Sequence, residues 1–145
     1  MMRTVGELLT SKPEAVFTVP PDTTIFQALE AMAEHDIGAL PVVDAAGALC
    51  GIFSERDYAR GVILQGRSSR ATPVRDLMVT DVTTVVSTDT VVHCMQLMTT
   101  QRIRHLPVVA DGDLTGIVTI GDIVKQIITD QTQTIEQLES YILGR

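Results

Sequence analysis

The sequence predicts a mixed α/β fold, α+β in layout, made of two β-α-β-β-α repeats facing each other about a pseudo-twofold axis, with a helical extension at the C-terminus. Three observations predict it. The chain matches itself at an offset of 66 residues, both matching halves run through strand and helix periods in the same order, and a helical pattern that follows the second half has no counterpart in the first.

At the offset of 66, Thr18-Val19 falls on Thr84-Val85, Thr24 on Thr90, Met32 on Met98 and Ile37 on Ile103. Leu40-Pro41-Val42-Val43 falls on Leu106-Pro107-Val108-Val109 unchanged. One residue is lost in the following turn. At 65, Gly51-Ile52 meets Gly116-Ile117, Asp57 meets Asp122 and Ile63 meets Ile128. An unbroken four-residue identity, with a glycine and an acid at fixed distances from it, marks a duplication. The halves are residues 1–66 and 74–130, joined by a polar linker over 67–73 that holds glycine's neighbours Arg67-Ser68-Ser69 and Pro73, and followed by an extension over 131–145. A unit of this size buries only about 60% of its unfolded surface and is marginal alone. The two are therefore expected to form one domain, which leaves two related clefts along the seam.

The elements follow in order. Ala15–Val19 is β-rich and ends at Pro20-Pro21. Asp22, Thr23 or Thr24 caps a helix whose Ile25, Ala28, Leu29 and Met32 share one face. Ala39–Val43 and Leu49–Phe53 are strands around an Asp44–Gly47 turn, and Ser54 caps a helix running through Tyr58 to Ile63. The second half gives a strand over Val82–Val86 and a helix from Thr90 with Val91, Met95 and Met98 on one face. Strands at His105–Val109 and Leu114–Val118 follow, then a helix starting near Ile120. In the extension, Ile135, Leu138 and Ile142 form a stripe, which suits either a tail folded back on the domain or a helix that joins a dimer.

Composition narrows the function. A net charge of −7 argues against a nucleic-acid binder, and 3% aromatics without tryptophan argues against base-stacking platforms. No run approaches the ~18 apolar residues of a membrane span. The N-terminus reaches Glu7 before any apolar core, so it does not read as a secretory signal. Cys50 and Cys94 read as core thiols of a reduced, cytoplasmic protein. Zinc-ligand spacing, a phosphate-binding P-loop and a Gly-rich dinucleotide fingerprint are missing from the sequence. His93-Cys94 are helix neighbours that point apart, and His35 at a helix end is assigned no role. An enzyme is not expected.

The chemistry-bearing segments are Gly51-Ile52-Phe53-Ser54-Glu55-Arg56-Asp57 and Gly116-Ile117-Val118-Thr119-Ile120-Gly121-Asp122. Each is a strand entering a helix, with a hydroxyl at the cap and an acid three residues on. This is the pattern of a capping box. The same corner also points a hydroxyl and a carboxylate out of a strand end, where α/β sheets place ligands. A carboxylate accepts hydrogen bonds only and suits a vicinal diol, while Gly51 and Gly116 would let a flat ring approach the backbone.

The paired segments, the two Leu-Pro-Val-Val strands and the element order resemble a tandem pair of CBS domains, the modules named after cystathionine β-synthase. The openings Val5-Gly6-Glu7-Leu8-Leu9 and Val74-Arg75-Asp76-Leu77-Met78 fit as well. Arg102-Ile103-Arg104-His105-Leu106-Pro107-Val108 is similar to small stand-alone members. The resemblance covers about residues 4 to 130. It implies a non-catalytic regulatory module that binds adenosine compounds: AMP, ADP or ATP, and in some members S-adenosylmethionine or a nicotinamide dinucleotide, NAD(H). It implies that Ser54 with Asp57, and Thr119 with Asp122, hold ribose and phosphate. The adenine positions it implies are Val16–Pro20, including Thr18, with Ile37–Pro41, including Gly38, Ala39 and Pro41, and Val82–Val86 with Ile103–Pro107, including His105 and Pro107. Arg104 and His105, which replace Gly38 and Ala39 in the second half, are expected to contact phosphates. Arg56, whose counterpart is Gly121, is expected to reach into the shared cleft. The two sites should differ, the second being better equipped for a charged ligand. The resemblance further implies a homodimer joined through helices flanking the clefts, and a partner enzyme. Neither a membrane nor a nucleic acid is expected. The competing reading is a dimeric interaction module that regulates a partner without nucleotide.

Overall fold

The computed structural model describes residues 3–12 and 16–143 of the 145. Helix α1 (Val5–Ser11) starts at Thr4, whose hydroxyl accepts from Glu7 N at 3.2 Å. Helix α2 (Ile25–His35) is capped by Thr24, which the structure selects from the three candidates, in a reciprocal box with Gln27. Strands β1 (Ala39–Val43) and β2 (Leu49–Ser54) pair antiparallel and lead into the short α3 (Glu55–Tyr58), which widens into a π-turn over Ala59–Ile63. The second half opens with a 3-10 turn at Val74–Asp76, then α4 (Val91–Gln101), β3 (His105–Ala110), β4 (Asp113–Thr119) and α5 (Ile120–Leu143). The mixed α/β class with two small antiparallel sheets is as the repeat predicts.

The duplication is visible in the register. Val42 faces Gly51 and Val108 faces Gly116, and a bulge follows each of these pairs. Helices α2 and α4 stop alike, at Asp36 and Arg102 with φ of 52° and 55°. Non-glycine residues tolerate this left-handed conformation only at a small cost, and it turns the chain sharply into the next strand.

Two sequence expectations change. The opening strands do not form ladders; Ala15 of the first lies outside the described residues. What remains is one parallel bridge in each half, Val19 to Val42 and Val85 to Val108. The chain turns at once on both sides: Thr23 N donates to Pro20 O, and Val86 N donates to Asp89 Oδ2 at 2.8 Å. On α4 the buried face is Val91, Cys94 and Met98, while Met95 is exposed.

Two apolar cores result, and the opening segments exchange between them. Val5 and Leu8 of α1 lie in the core of the second half, with Val85, Leu106, Val108 and Ile123. Val74 lies in the core of the first, with Ile25, Met32, Leu40 and Phe53. The backbone bonds match: Val5 N to Asp89 O and Val91 N to Arg3 O on one side, Val74 N to Thr23 O and Ile25 N to Thr72 O on the other. Each buried Val or Leu contributes about 1.5–3 kcal/mol, so the exchange stitches the halves into one unit. The sheets also touch. Ala48 bridges Asp113, and a Cβ placed on Gly38 would lie 3.8 Å from His105 Cε1.

Helix α5 is continuous from the second motif to Leu143; Gly144 and Arg145 of the expected extension lie outside the described residues. From Gln131 to Leu143 every residue is exposed.

Candidate functional site

Two clefts open on the seam, of ≈ 520 Å³ and ≈ 930 Å³. Each takes its acid from one half and its rim from the other. The smaller holds Thr119 and Asp122 against Val16, Phe17, Gly38, Ala39 and Pro41. The larger holds Ser54, Arg56 and Asp57 against Val82, Thr83, Arg102 and Arg104. His105, Gly38 and Ala39 belong to both. Arg104 therefore shares a cleft with Asp57 and not with Asp122, and the cation-rich cleft is the one carrying the first motif. Thr18, Val86, Pro107 and Gly121 line neither cleft. Thr18, Val86 and Gly121 are exposed, and Pro107 is buried within its sheet.

At both corners the carboxylate caps its own helix and also lines a cleft. Asp122 Oδ2 accepts from Thr119 N at 2.9 Å, and Asp122 N donates to Thr119 Oγ1 at 3.1 Å. Asp57 Oδ2 accepts from Ser54 N at 2.9 Å and Ser54 Oγ at 3.0 Å, and Asp57 N donates to Ser54 Oγ at 3.2 Å. The two meanings of the hydroxyl–acid pattern are thus compatible. Capping uses Oδ2 alone, and Oδ1 of each acid makes no hydrogen bond among the described residues.

The motif glycines have a different use from the one expected. A Cβ on Gly116 would come within 2.8 Å of Leu9 Cδ1, and one on Gly51 within 2.7 Å of both Met78 Sδ and Val79 O. The space beside each is filled by the exchanged opening segment rather than left for a flat ring.

Lys12, just past α1, escaped the sequence reading. Its Nζ donates to Asp122 Oδ2 at 2.9 Å and to Ile117 O at 3.0 Å, with the lysine side chain 14% exposed. The signal was one of alignment: an offset of 69, set by Val5 and Val74, pairs Lys12 with Asp81, which lines the other cleft. The Phe17–His35 pair was also missed. Their rings stack at 3.5 Å and 13° on the wall of the smaller cleft.

His105 lies opposite Thr119 across β3 and β4. Its pKa is lowered from the usual 6.5, first by burial and then by the charges of Lys12 and Arg104, with Asp122 opposing. The imidazole is therefore neutral at neutral pH and offers a hydrogen bond rather than a charge. In the larger cleft the charge comes from Arg56, Arg60, Arg102 and Arg104, set against Glu55, Asp57 and Asp81. Burial, aided by Asp89, pushes the Cys94 thiol up to about 11, so it stays protonated in the core. Among the described residues no helix is long and apolar enough to cross a membrane.

The model of the CBS domain matches residues 5–63 and 74–129. The chain belongs to the CBS domain family, as a tandem pair. Among curated relatives, the mitochondrial CBS domain-containing protein CBSX3 of Arabidopsis thaliana is 42% identical over 85% of this chain, which spans 62% of the plant protein's length. CBS domain-containing protein YhcV of Bacillus subtilis is 34% identical over 90% of both chains. Among solved structures, a putative signal-transduction protein with CBS domains from Burkholderia ambifaria is 46% identical, with a TM-score of 0.83 over 88% of this chain and 96% of that one. CBSX2 in complex with AMP is 31% identical, TM-score 0.75, over 89% and 98%. The CBS pair of MJ0100, solved with 5′-methylthioadenosine and S-adenosyl-L-methionine, is 26% identical, TM-score 0.78, over 90% and 99%. Members of this family are regulatory modules, and this chain is one of them.

Proposed function

We propose that this CBS pair is a non-catalytic sensor of adenosine-containing ligands, with AMP, ADP and ATP as the first candidates. One observation carries the reading: in each cleft a helix-capping carboxylate has one oxygen without a hydrogen bond among the described residues and lines the cleft together with the backbone rim of the opposite half. That oxygen is free to accept from a ribose diol, and the rim is placed to hold a base. The larger cleft, with its four guanidiniums, suits a polyphosphate tail. The smaller, with one lysine, suits a monophosphate or an uncharged adenosine. CBSX2 with AMP and the MJ0100 pair with S-adenosyl-L-methionine support the ligand class, and they keep S-adenosylmethionine and NAD(H) as candidates.

In this reading residues 1–66 and 74–130 act as two halves of one domain whose relative angle the ligand biases. The chain works as a cytoplasmic homodimer on a partner enzyme. One observation favours a second reading, an interaction module without nucleotide: Lys12 already occupies Asp122.

Thermal unfolding with an adenosine panel separates the two, since a ligand at 100 times its Kd adds about 2.7 kcal/mol. Asp57→Asn and Asp122→Asn, which keep a capping oxygen, should then each weaken calorimetric binding. No shift with any adenosine compound would sink the sensor reading and leave the interaction module.

A further inference from the structure

Helix α5 runs 24 residues, and its last part leaves the domain. Every residue from Gln131 to Leu143 is exposed. A free helix of that length is marginal in water. Yet its apolar residues are ordered into a stripe: Val124, Ile128, Ile135, Leu138 and Ile142, exposed at 49%, 58%, 55%, 56% and 77%. With Gln131 the steps alternate four and three residues. This is a heptad seam with isoleucine at one core position and valine, glutamine and leucine in turn at the other. It begins inside the second CBS repeat and continues past it without a break.

We propose that this seam pairs antiparallel with α5 of a second copy of the chain. The proposal deepens the homodimer reading by naming the surface and the orientation. A register centred on Gln133 sets Ile128 against the partner's Leu138, Gln131 against the partner's Ile135, and Val124 against the partner's Ile142. Lys125 and Glu139 flank the seam on one side, two heptads apart. Antiparallel pairing brings Lys125 towards the partner's Glu139, and the twofold axis repeats the contact. A parallel pair would offer Lys125 only the partner's Ile120, and Glu139 only the partner's Thr134. Asp130 lies off the seam, where it pairs with Arg3 at 3.3 Å. A lipid surface is a poor alternative occupant, because the flanks carry Glu136 and Glu139 against a single lysine.

Light scattering on the full chain should give twice the 15.7 kDa chain mass. Ile135→Asp with Leu138→Asp should give the monomer mass with an unchanged melting transition of the domain, since both residues are exposed. Lys125→Glu should weaken dimerisation several-fold, and Lys125→Glu with Glu139→Lys should restore it. In a Cys50→Ser background, Val124→Cys with Ile142→Cys should form a disulfide-linked dimer, whereas Ile142→Cys alone should not, because antiparallel copies hold the two positions about 27 Å apart. A monomeric wild type overturns both this proposal and the homodimer reading. A dimer that survives Ile135→Asp with Leu138→Asp overturns the seam alone and moves the dimer to another surface. Ready crosslinking through Ile142→Cys alone overturns the antiparallel register.

Discussion

The two clefts come from one duplicated sequence, yet their opening segments and rims carry opposite charges. In the smaller, the cation is Lys12, from the exchanged opening segment, and the rim carries Asp36 and Gly38. In the larger, the opening segment supplies Asp81 and the rim supplies Arg102 and Arg104. The frame around them is the same: the same bulge, the same left-handed stop and the same capping acid. Positions that carry the frame repeat, because changing them costs stability in the half they cap or bend. Positions that only border the seam are free to diverge, and there the charges part.

The contrast can be broken most directly at Arg104. Arg104→Ala should weaken ATP about tenfold or more while leaving adenosine nearly unchanged, as loss of a charged hydrogen bond costs ~1.5–3 kcal/mol. Equal calorimetric losses for both ligands would reject a phosphate role. The floors of the clefts differ as well. Gly51→Ala meets the backbone oxygen of Val79 and should cost about 1–3 kcal/mol in denaturant unfolding, whereas Gly116→Ala meets only the mobile tip of Leu9 and should cost less. The reverse order would mean the exchanged segments are not packed as described. Lys12→Met should sharpen the difference in a few-fold way: adenosine gains affinity once Asp122 is released, and AMP loses it. Parallel changes in both would make Lys12 a structural residue. The smallest effect concerns pH. His105 has its folded pKa below 6.5, so the unfolded chain takes up its proton first on acidification. Its contribution to stability is full above pH 6.5 and is lost as pH falls through and below that value. His105→Gln should flatten that part of the stability profile, and an unchanged slope would remove the imidazole from the seam's charge balance.

Much of this was legible beforehand. The repeat, the helix at Ile25, the hairpins and the hydroxyl–acid corners all follow from local spacing. The opening strands were overestimated because five β-prone residues say nothing about the turn after them. Cys94, not Met95, faces the core because the sheet below α4 sets the helix rotation. At the site, Ser54, Asp57, Thr119 and Asp122 could be found from the motif, but Lys12 could not. It lies 110 positions from Asp122 and carries no motif of its own.

What the sequence determined by itself was local: periods, caps and the doubling of one unit, since these depend on residues within a turn or a hairpin of each other. Which acid faces which rim was decided only in three dimensions. The opening segments cross into the opposite cores and the two sheets touch where Ala48 bridges Asp113, so each cleft joins residues that the chain keeps apart.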